Sequence, residues 1–543
     1  MQAVIEKIAN SLYSEDCYNK EHSRIYKLHK YWARKPWYIV EKYIENYSDQ
    51  GDLVMDPFCG SGCTGLEAVI NGRNFIGQDL NPTALRVTSG TLENNVSIDD
   101  LKGAFEQIKN TCKNHIMTLY VSEKLCSKCG GQLYYKHINL GPHFKDELFG
   151  SVYCPACKTK CESKTLSPNE LSAMEAANKV EITKWVPDIP FPEKFYKDRF
   201  SYKGIHTVAD MYTHRNLYAL SVLLEAIEAI ENIKLRDVLL LAFSNTVLHV
   251  SKLKGENVRP LGVNNYWIPD DYIEENVWFR FEDRVNNILK AKTQQKKREK
   301  EKSKLGIAAG KWSIEKKSAL DSMGNSIVDY FFTDPPYGDA IQYSELSYVW
   351  NAWFKDKYEI EQEVIINPVQ KKGAKEFNAL LGKSLEQMYS ALKKDKYLTL
   401  CFQNKNSSIW NETIKKCKSL GFALVDISIY NTYGSPFNKS WANFSPKADI
   451  YVTFKKGEAT IDEFYSENET VQGIIKEINE YMVLNQIPQN NNRLYDLTIA
   501  YLIWAMYYNI NGIDINHFDI KKFTSMAEDI LSGKDDFEQL SLF

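Results

Sequence analysis

The chain has 543 residues, of which 44% are hydrophobic and 25% charged, and this ordinary balance excludes a wholly disordered or fibrous protein. Its length predicts three to four folded units at about 150 residues each. The 67 basic and 70 acidic residues give a net charge of −3, which for the chain as a whole disfavours nucleic acid as a partner. We expect a cytoplasmic protein, because the sequence has neither an apolar run long enough to span a membrane nor a secretory signal.

The first ninety residues contain a compact polar and aromatic run followed by a strand–turn–helix–strand pattern. The run is His29–Pro36, and Pro36 suits the first turn of the helix predicted after it. The pattern has a strand over 52–55, a turn over 56–62, a helix over 64–71 and a strand over 74–77 that leads to Asp79. This order is typical of a βαβ unit, in which parallel strands flank a crossover helix.

The turn over 56–62 has the features of a small-ligand site. Gly60 and Gly62 let the backbone approach a ligand closely, and the helix that follows offers free N–H groups. Asp79, at the end of the next strand, can accept hydrogen bonds from two ribose hydroxyls. The turn lacks the Gly-Lys-Ser/Thr of a P-loop, and its acidic Asp56 suits a cationic ligand. Taken alone, the motif also fits an ordinary βα turn with structural glycines.

The segment over 96–320 interrupts this pattern and contains two C-x₂-C pairs separated by 24 residues. Such pairs predict a tetrahedral site for structural zinc in a ribbon over about 120–165, and a redox role is less favoured because no thioredoxin-like unit surrounds them. The expected ligands are Cys126, Cys129, Cys154 and Cys157. Nearby alternative ligands are Cys161, His137 and His143. Five of the eleven cysteines lie within residues 126–161, and such local crowding fits a metal site in a reducing compartment better than a disulfide framework.

A basic stretch over 290–311 ends this segment. It holds nine basic and two acidic residues, a local net charge of +7. The stretch could follow a phosphate backbone, or it could be a solvated and partly disordered linker, and the sequence leaves both open. Whole-chain charge is therefore a poor guide to nucleic-acid binding, since only a local basic face is needed.

Alternating strands and helices resume in the second half of the chain. Strands are predicted over 327–333, 397–402, 423–430 and 449–454, with helices over 380–392 and 409–420. No helix is predicted between the last two strands, so an antiparallel ending is expected. Residues 458–543 are predicted to be mainly helical.

The first of these strands leads into Asp334-Pro335-Pro336-Tyr337. The two prolines stiffen the loop and remove two backbone donors, so it presents the Asp334 carboxylate and the Pro335 carbonyl as acceptors. That arrangement suits an exocyclic amine on a planar ring, which donates two hydrogen bonds and stacks on Tyr337. Tyr343 and Trp350 are further candidates for stacking, with burial in the core as the alternative.

Together the turn and this loop resemble the paired signature of S-adenosylmethionine-dependent amino-methyltransferases of DNA, and in particular the adenine-specific methylases with a zinc ribbon. The matching segments are His29–Pro36, Asp56–Gly62, Asp79–Pro82 and Asp334–Ser347. The resemblance implies a doubly wound, Rossmann-like methyltransferase sheet of the α/β class with a zinc-ribbon insert and a helical C-terminal region. The implied domains are a cofactor-binding half over 1–95, a target-recognition insert over 96–320, a catalytic half over 321–457 and a helical region over 458–543.

The resemblance also implies which residues form the site. Catalytic residues would be Asp334, Pro335, Pro336 and Tyr337. Residues that bind S-adenosylmethionine would be Lys35, Pro36, Asp56, Pro57, Phe58, Gly60, Gly62, Asp79 and Asn81. The substrate would be double-stranded DNA with a flipped target base, and the methyl group would pass directly to the adenine N6 amine.

Three other functions stay open on the sequence alone. Methylation of cytosine N4 uses the same amine chemistry, and N2-guanine methylation of RNA uses a similar loop. A catalytically dead zinc-ribbon protein that only binds DNA is the third. Methylation of cytosine C5 is disfavoured, because the sequence has no Pro-Cys dipeptide to supply the nucleophile.

The last five residues are Gln539, Leu540, Ser541, Leu542 and Phe543. They resemble the short peptide by which bacterial replication and repair proteins bind the sliding clamp, with a glutamine and paired apolar anchors that enter a groove. The alternative is an amphipathic tail that folds back on its own domain. The family resemblance and this tail imply a bacterial-type protein associated with the nucleoid.

Overall fold

The computed structural model describes residues 24–144, 147–193, 204–261, 266–404, 407–431, 448–458, 470–487 and 491–508, with a few isolated positions (5, 6, 8, 195, 523, 526, 527 and 530). The clamp-like peptide over 539–543 lies outside the described residues. Within them, no helix is both long and apolar enough to cross a membrane.

The strands, in chain order, make two sheets. They are β1 Leu53–Asp56, β2 Asn74–Asp79, β3 Val121–Leu125, β4 Gln132–Leu140, β5 Phe149–Cys154, β6 Thr159–Thr165, β7 Tyr272–Glu275, β8 Trp312–Lys316, β9 Val328–Thr333, β10 Leu392–Phe402, β11 Phe422–Asn431 and β12 Ala448–Lys456.

The α-helices surround and connect these strands. They are α1 Trp37–Tyr47, α2 Cys63–Ile70, α3 Pro82–Leu92, α4 Ile98–Ile108, α5 Asn114–Thr118, α6 Pro168–Ala177, α7 His214–Glu228, α8 Ile233–His249, α9 Val277–Lys304, α10 Tyr343–Trp353, α11 Ala374–Ala391, α12 Ser407–Leu420, α13 Val471–Leu484 and α14 Asn491–Tyr508. A π-helical turn over Lys109–Lys113 connects α4 to α5.

The large sheet has the order β11-β12-β10-β9-β1-β2-β8. Strands β8, β2, β1, β9 and β10 are parallel, and β12 is antiparallel to both β10 and β11, as the sequence predicted for this ending. The chain winds from β1 outward through β2 to β8 and then returns to β9 on the other side of β1. The fold is therefore a doubly wound α/β sheet, and its strand order reverses between β1 and β9.

Strand β9 lies at the centre of this sheet and is buried at every position. A parallel strand covered by helices on both faces requires apolar residues on both sides, which explains the continuous run Tyr-Phe-Phe in it. Edge strand β8 is different, because it consists of half-buried and exposed positions and has no buried run. It lies within the predicted insert over 96–320, yet it pairs with β2 in the large sheet.

The smaller sheet is antiparallel and lies within the insert. Its order is β3-β4-β5-β6, and β7 pairs with the other part of β4. Alternate side chains of β4, from Leu133 to Leu140, pack into the same core as helices α4, α7 and α8. The sheet that carries the cysteine pairs is thus integrated into the helical part of the insert.

Helix α9 connects the insert to the large sheet. It includes most of the basic stretch, and its Lys292, Gln295 and Arg298 are buried. Arg298 donates to Glu67 of α2, which is fully buried, and its guanidinium lies 4.5 Å from the centre of the Trp37 ring. Part of the basic stretch is therefore neither a linker nor a solvated surface. It is helical, and its buried Arg298 pairs with a buried carboxylate of the core.

We expect Arg298→Ala to lower the free energy of unfolding by about 3–5 kcal/mol, because it leaves the Glu67 carboxylate buried without its partner. Urea denaturation would measure the loss. Lys297→Ala, one position away on the exposed side of α9, is the matched control and should stay within about 0.5 kcal/mol of the parent. An equal effect of the two variants would contradict the role of Arg298.

Candidate active site and metal centre

The carboxyl ends of β1, β2 and β9 meet at one edge of the large sheet, where the strand order reverses. Ligands of doubly wound folds bind in the crevice at this point. Here Asp56 ends β1, Asp79 ends β2 and Asp334 follows β9, and all three line a cavity of about 860 Å³, a volume that includes the open solvent at its entrance.

The predicted site residues divide into two groups around this cavity. Those that line it are Lys35, Asp56, Pro57, Phe58, Gly60, Asp79, Asp334 and Pro336. Those outside its lining are Pro36, Gly62, Asn81, Pro335 and Tyr337.

Asp56 is almost fully buried and joins three elements. Its Oδ1 accepts hydrogen bonds from Thr333 Oγ1 at 2.8 Å and from the Phe58 amide at 3.1 Å, and its Oδ2 accepts from Thr64 Oγ1 at 2.8 Å. Burial raises the pKa of this carboxyl to about 7, although these hydrogen bonds act in the opposite direction. Asp56 therefore fixes the end of β1 against β9 and the start of α2.

The glycines of the turn allow close contacts. Gly62 has a φ of +77°, and a Cβ there would meet the Thr88 backbone of α3 at 3.0 Å. Gly60 has a φ of +51°, and a Cβ there would lie 2.9 Å from the Tyr31 ring. The left-handed backbone and the lack of space both require glycine at these positions.

Asp79 and Asn81 differ in what their side chains do. Asp79 accepts hydrogen bonds from the Gly60 and Asn81 amides at 3.0 and 2.9 Å, and burial raises the pKa of its carboxyl to about 6. Asn81 caps α3 through the Thr83 amide and donates to Ser347 Oγ of α10 at 2.7 Å. The Asn81 side chain is buried and outside the cavity lining, and it attaches α10 to the start of α3.

Asp334 is paired on both carboxylate oxygens. Lys35 Nζ lies 3.2 Å from Oδ2, and the Tyr337 hydroxyl donates to Oδ1 at 2.5 Å. Burial raises the pKa of Asp334 to about 6, against the opposing effects of Lys35 and Tyr337. Lys35 also contacts Asp449 Oδ2 at 3.3 Å, so its ammonium lies between two carboxylates of the protein.

The aromatic residues at the cavity are only in part those that the sequence indicated, since Tyr343 lines it but Tyr337 and Trp350 do not. The Tyr337 ring packs edge-on against Phe402, with centroids 5.5 Å apart, and Trp350 is buried in the core. Tyr31 and Tyr343 line the cavity, with their rings inclined by 29° and centroids 6.1 Å apart. Sequence reasoning missed Tyr31, although the aromatic run that contains it had been singled out.

The run His29–Pro36 connects the cavity to the insert. His29 Nε2 is 2.9 Å from Ser244 Oγ of α8, and Lys30 Nζ donates to the carbonyls of Pro260 and Leu261. Burial lowers the pKa of His29 to about 4, so its imidazole is neutral near pH 7. The start of the run is therefore fixed to the insert, and Tyr31 and Lys35, which follow, line the cavity.

A further wall comes from the segment after α10, which the sequence did not single out. Tyr358 and Glu363 line the cavity there. Glu363 is buried and accepts from the amide and hydroxyl of Ser344 at 2.8 and 2.6 Å. These residues carry no local motif, so only the fold brings them to the site.

The four cysteines of the two pairs come together at one end of the smaller sheet. Their sulfur atoms all lie within 4.8 Å of one another. Cys126 and Cys157 are 3.6 Å apart, and Cys129 and Cys154 are 3.5 Å apart, close to the ~3.8 Å sulfur–sulfur separation of a tetrahedral site with zinc–sulfur bonds of about 2.3 Å. The donor set thus fits zinc. Of the alternatives, His143 pairs with Asp271, and the side chain of Cys161 lies outside what the structure describes.

Comparison with known proteins agrees with the motifs. Residues 6–89 match the family described as DNA methylase. The chain is 41% identical over 64 residues to the type II methyltransferase M2.DpnII of Streptococcus pneumoniae, which is 12% of this chain and 24% of that protein. It is 39% identical over 55 residues to the DNA adenine methyltransferase YhdJ of Escherichia coli, which is 10% of this chain and 19% of that protein.

The matched family model covers residues 6–89, which include the turn over 56–62 and Asp79, and the matched relatives are named as methyltransferases, in agreement with the resemblance that the motifs carry. The chain spans about a quarter or less of the length of these curated relatives. The rRNA methyltransferase aviRa of Streptomyces viridochromogenes aligns over 82% of this chain and 97% of its own at 9% identity, with a TM-score of 0.28.

We expect one tightly bound zinc per chain, because four clustered thiolates form a closed site. Cys129→Ser should lose most of this metal and lower the melting temperature, since metal binding to such a site contributes folding energy. Atomic emission on the purified protein measures the stoichiometry. Cys112→Ser, outside the cluster, is the control, and equal zinc in the two variants would exclude the site.

Proposed function

We propose that this protein transfers a methyl group from S-adenosylmethionine to the N6 amine of adenine in double-stranded DNA. The observation that carries the proposal is the position of Asp334, which reaches the cavity at the β1–β9 reversal together with Asp56 and Asp79. In this arrangement the cofactor turn and the amine-accepting loop share one cavity, as direct transfer requires.

The residues around the turn fit the cofactor. S-adenosylmethionine supplies a methyl group activated by its sulfonium. Asp79 is half-buried at the end of β2 and would hold the ribose, while Gly60 and the start of α2 would lie beneath the nucleoside. Asp56 lines the same cavity, where a cationic ligand would favour its ionised form and a pyrophosphate would oppose it.

Asp334 and the loop after it would bind the target amine. A carboxylate has about four lone-pair sites, so Asp334 can accept from Tyr337 and Lys35 and still receive an N–H of the substrate. The carbonyl of Pro335, which lies between the lining residues Asp334 and Pro336, would accept the other N–H. Two such hydrogen bonds orient the amine nitrogen and increase its electron density at the point of transfer, which is positioning with electrostatic stabilisation.

Tyr31 and Tyr343 would provide the aromatic faces for the base, a task that the sequence assigned to Tyr337. The target base would leave the duplex at a cost of about a few kcal/mol, which stacking between aromatic side chains offsets in part. Tyr337 would instead hold Asp334 through its hydroxyl.

Adenine is favoured over cytosine by the form of the Asp334 loop and by the adenine methyltransferase named among the relatives. Mass spectrometry of nucleosides from treated DNA separates N6-methyladenine from N4-methylcytosine. The same assay with RNA tests the N2-guanine alternative, and calorimetry with S-adenosylmethionine tests the dead-protein alternative.

The insert would contact the DNA, with the zinc ribbon as its scaffold. The protein would act in a bacterial cytoplasm, near the nucleoid.

Asp334→Ala is expected to reduce methyl transfer by at least about 10²-fold, because the amine loses its principal acceptor. Transfer of labelled methyl to DNA measures the rate, and calorimetry should give an S-adenosylmethionine affinity within a few-fold of the parent. Asp99→Ala, at an exposed carboxylate on α4, is the control. Substantial residual transfer by the Asp334 variant would refute its assigned role.

The C-terminal peptide would recruit the protein to the sliding clamp. We expect removal of residues 539–543 to abolish retention on immobilised clamp, since the glutamine and the apolar pair are the anchors. Retention of the full chain and of the shortened chain would be compared in one pull-down, with methyl transfer as the control for folding. Equal retention would exclude clamp binding through this tail.

A further inference from the structure

The ammonium of Lys35 is buried between two carboxylates from distant parts of the chain. Its Nζ lies 3.2 Å from Asp334 Oδ2 and 3.3 Å from Asp449 Oδ2. Lys35 precedes α1, Asp334 follows β9, and Asp449 belongs to β12. The side chains of Lys35 and Asp449 are 6% and 8% exposed, whereas Asp334 is 21% exposed, so Asp334 is the member most accessible from the cavity.

We propose that Lys35, anchored by Asp449, is a positioning residue that fixes the Asp334 carboxylate as an ionised acceptor at the cavity wall. This inference rests on the proposed function, because it concerns the group that would accept the target amine. It gives Lys35 a partner within the protein, whereas the sequence assigned Lys35 to the cofactor.

The backbone around Lys35 supports a fixed position for its ammonium. Ala33 adopts a φ of +52°, an unfavourable conformation for a residue with a Cβ, and Pro36 fixes the entry to α1. The neighbouring Arg34 donates to the His29 carbonyl and to Ser61 Oγ of the turn. The segment is therefore held on both sides of Lys35.

Asp334 needs such a partner because its surroundings favour the neutral acid. Burial is the largest influence and raises its pKa to about 6, Lys35 gives the largest lowering, and Asp449 raises it further. A protonated Asp334 would carry a donor on one oxygen and would lose its charge, so the ionised form is the stronger acceptor for the N–H that the proposed function assigns to it. Other titratable groups that face it are Tyr337, Asp56, Cys401, Tyr31, Tyr343 and Tyr451.

The sign of the expected pH dependence follows from this balance. Activity should rise with pH as Asp334 ionises. Replacing Lys35 by Met removes the lowering influence and moves this rise to higher pH by about one unit or more. Asp449→Asn removes a like charge and moves it to lower pH. Lys35 changes the pKa of Asp334 more than Asp449 does. The pH at the midpoint of the rise should therefore increase in the order Asp449→Asn, parent, Lys35→Met/Asp449→Asn, Lys35→Met.

The experiment measures this titration in two ways on the full chain. The first is the infrared carboxyl signal of Asp334, assigned by the difference from Asp334→Asn, which needs no catalysis. The second is the pH profile of kcat/KM for DNA methylation, which reports groups of the free enzyme. Lys35→Arg retains the charge and should titrate near the parent. The double variant removes one positive and one negative charge, so it serves where Lys35→Met alone does not fold.

If the infrared midpoints of Asp334 follow the expected order of variants, they support the positioning role of Lys35. If the pH profiles of kcat/KM follow the same order, they show that this role affects catalysis. Binding of S-adenosylmethionine to Lys35→Met should stay within about threefold of the parent. An unmoved Asp334 titration in both Lys35→Met and the double variant overturns the inference, as does a large loss of cofactor affinity with that titration unmoved. A parent protein that shows the expected infrared order but methylates no nucleic acid would refute the proposed function and leave the positioning role standing.

Discussion

The buried carboxylate of Asp56 holds together two parts of the chain that are 277 positions apart at the Thr333 contact. It accepts from Thr64 at the start of α2 and from Thr333 at the end of β9. Asp334 is the next residue after Thr333, so these hydrogen bonds set how far the turn over 56–62 lies from the loop that begins at Asp334. Both parts of the candidate site depend on this junction, because a displacement of β9 along β1 would separate them.

The long insert between β2 and β8 attaches to the core at points close to this junction. Arg298 of α9 reaches Glu67 on α2, and His29 reaches Ser244 on α8. The Trp350 indole on α10 donates to the carbonyl of the same Ser244 at 2.9 Å. The part of the chain expected to read the DNA is thus packed directly against the helices that carry the site, through buried polar contacts that favour one arrangement.

Local motifs predicted the turn over 56–62, the acidic end of β2, the loop after β9 and the clustering of the cysteine pairs. Each depends on residues close in sequence, where the type of residue limits the backbone. The role of Lys35 was not predictable in this way, since its partners lie about three hundred and four hundred positions along the chain. The burial of Arg298 could not be predicted for the same reason, because a basic run gives no indication that its side chains contact a buried carboxylate of α2. Strand β8 was missed because an edge strand needs no continuous apolar run.

The tyrosine pair at the cavity also constrains how a base can enter. Two ring centroids 6.1 Å apart leave less than the two layers of about 3.5 Å that a planar base needs between them. If the target base stacks between them as proposed, Tyr31 and Tyr343 would separate by roughly an ångström and lose their own contact of about 0.5–1.5 kcal/mol. The proposed base site would thus stay closed until a base parts the two rings.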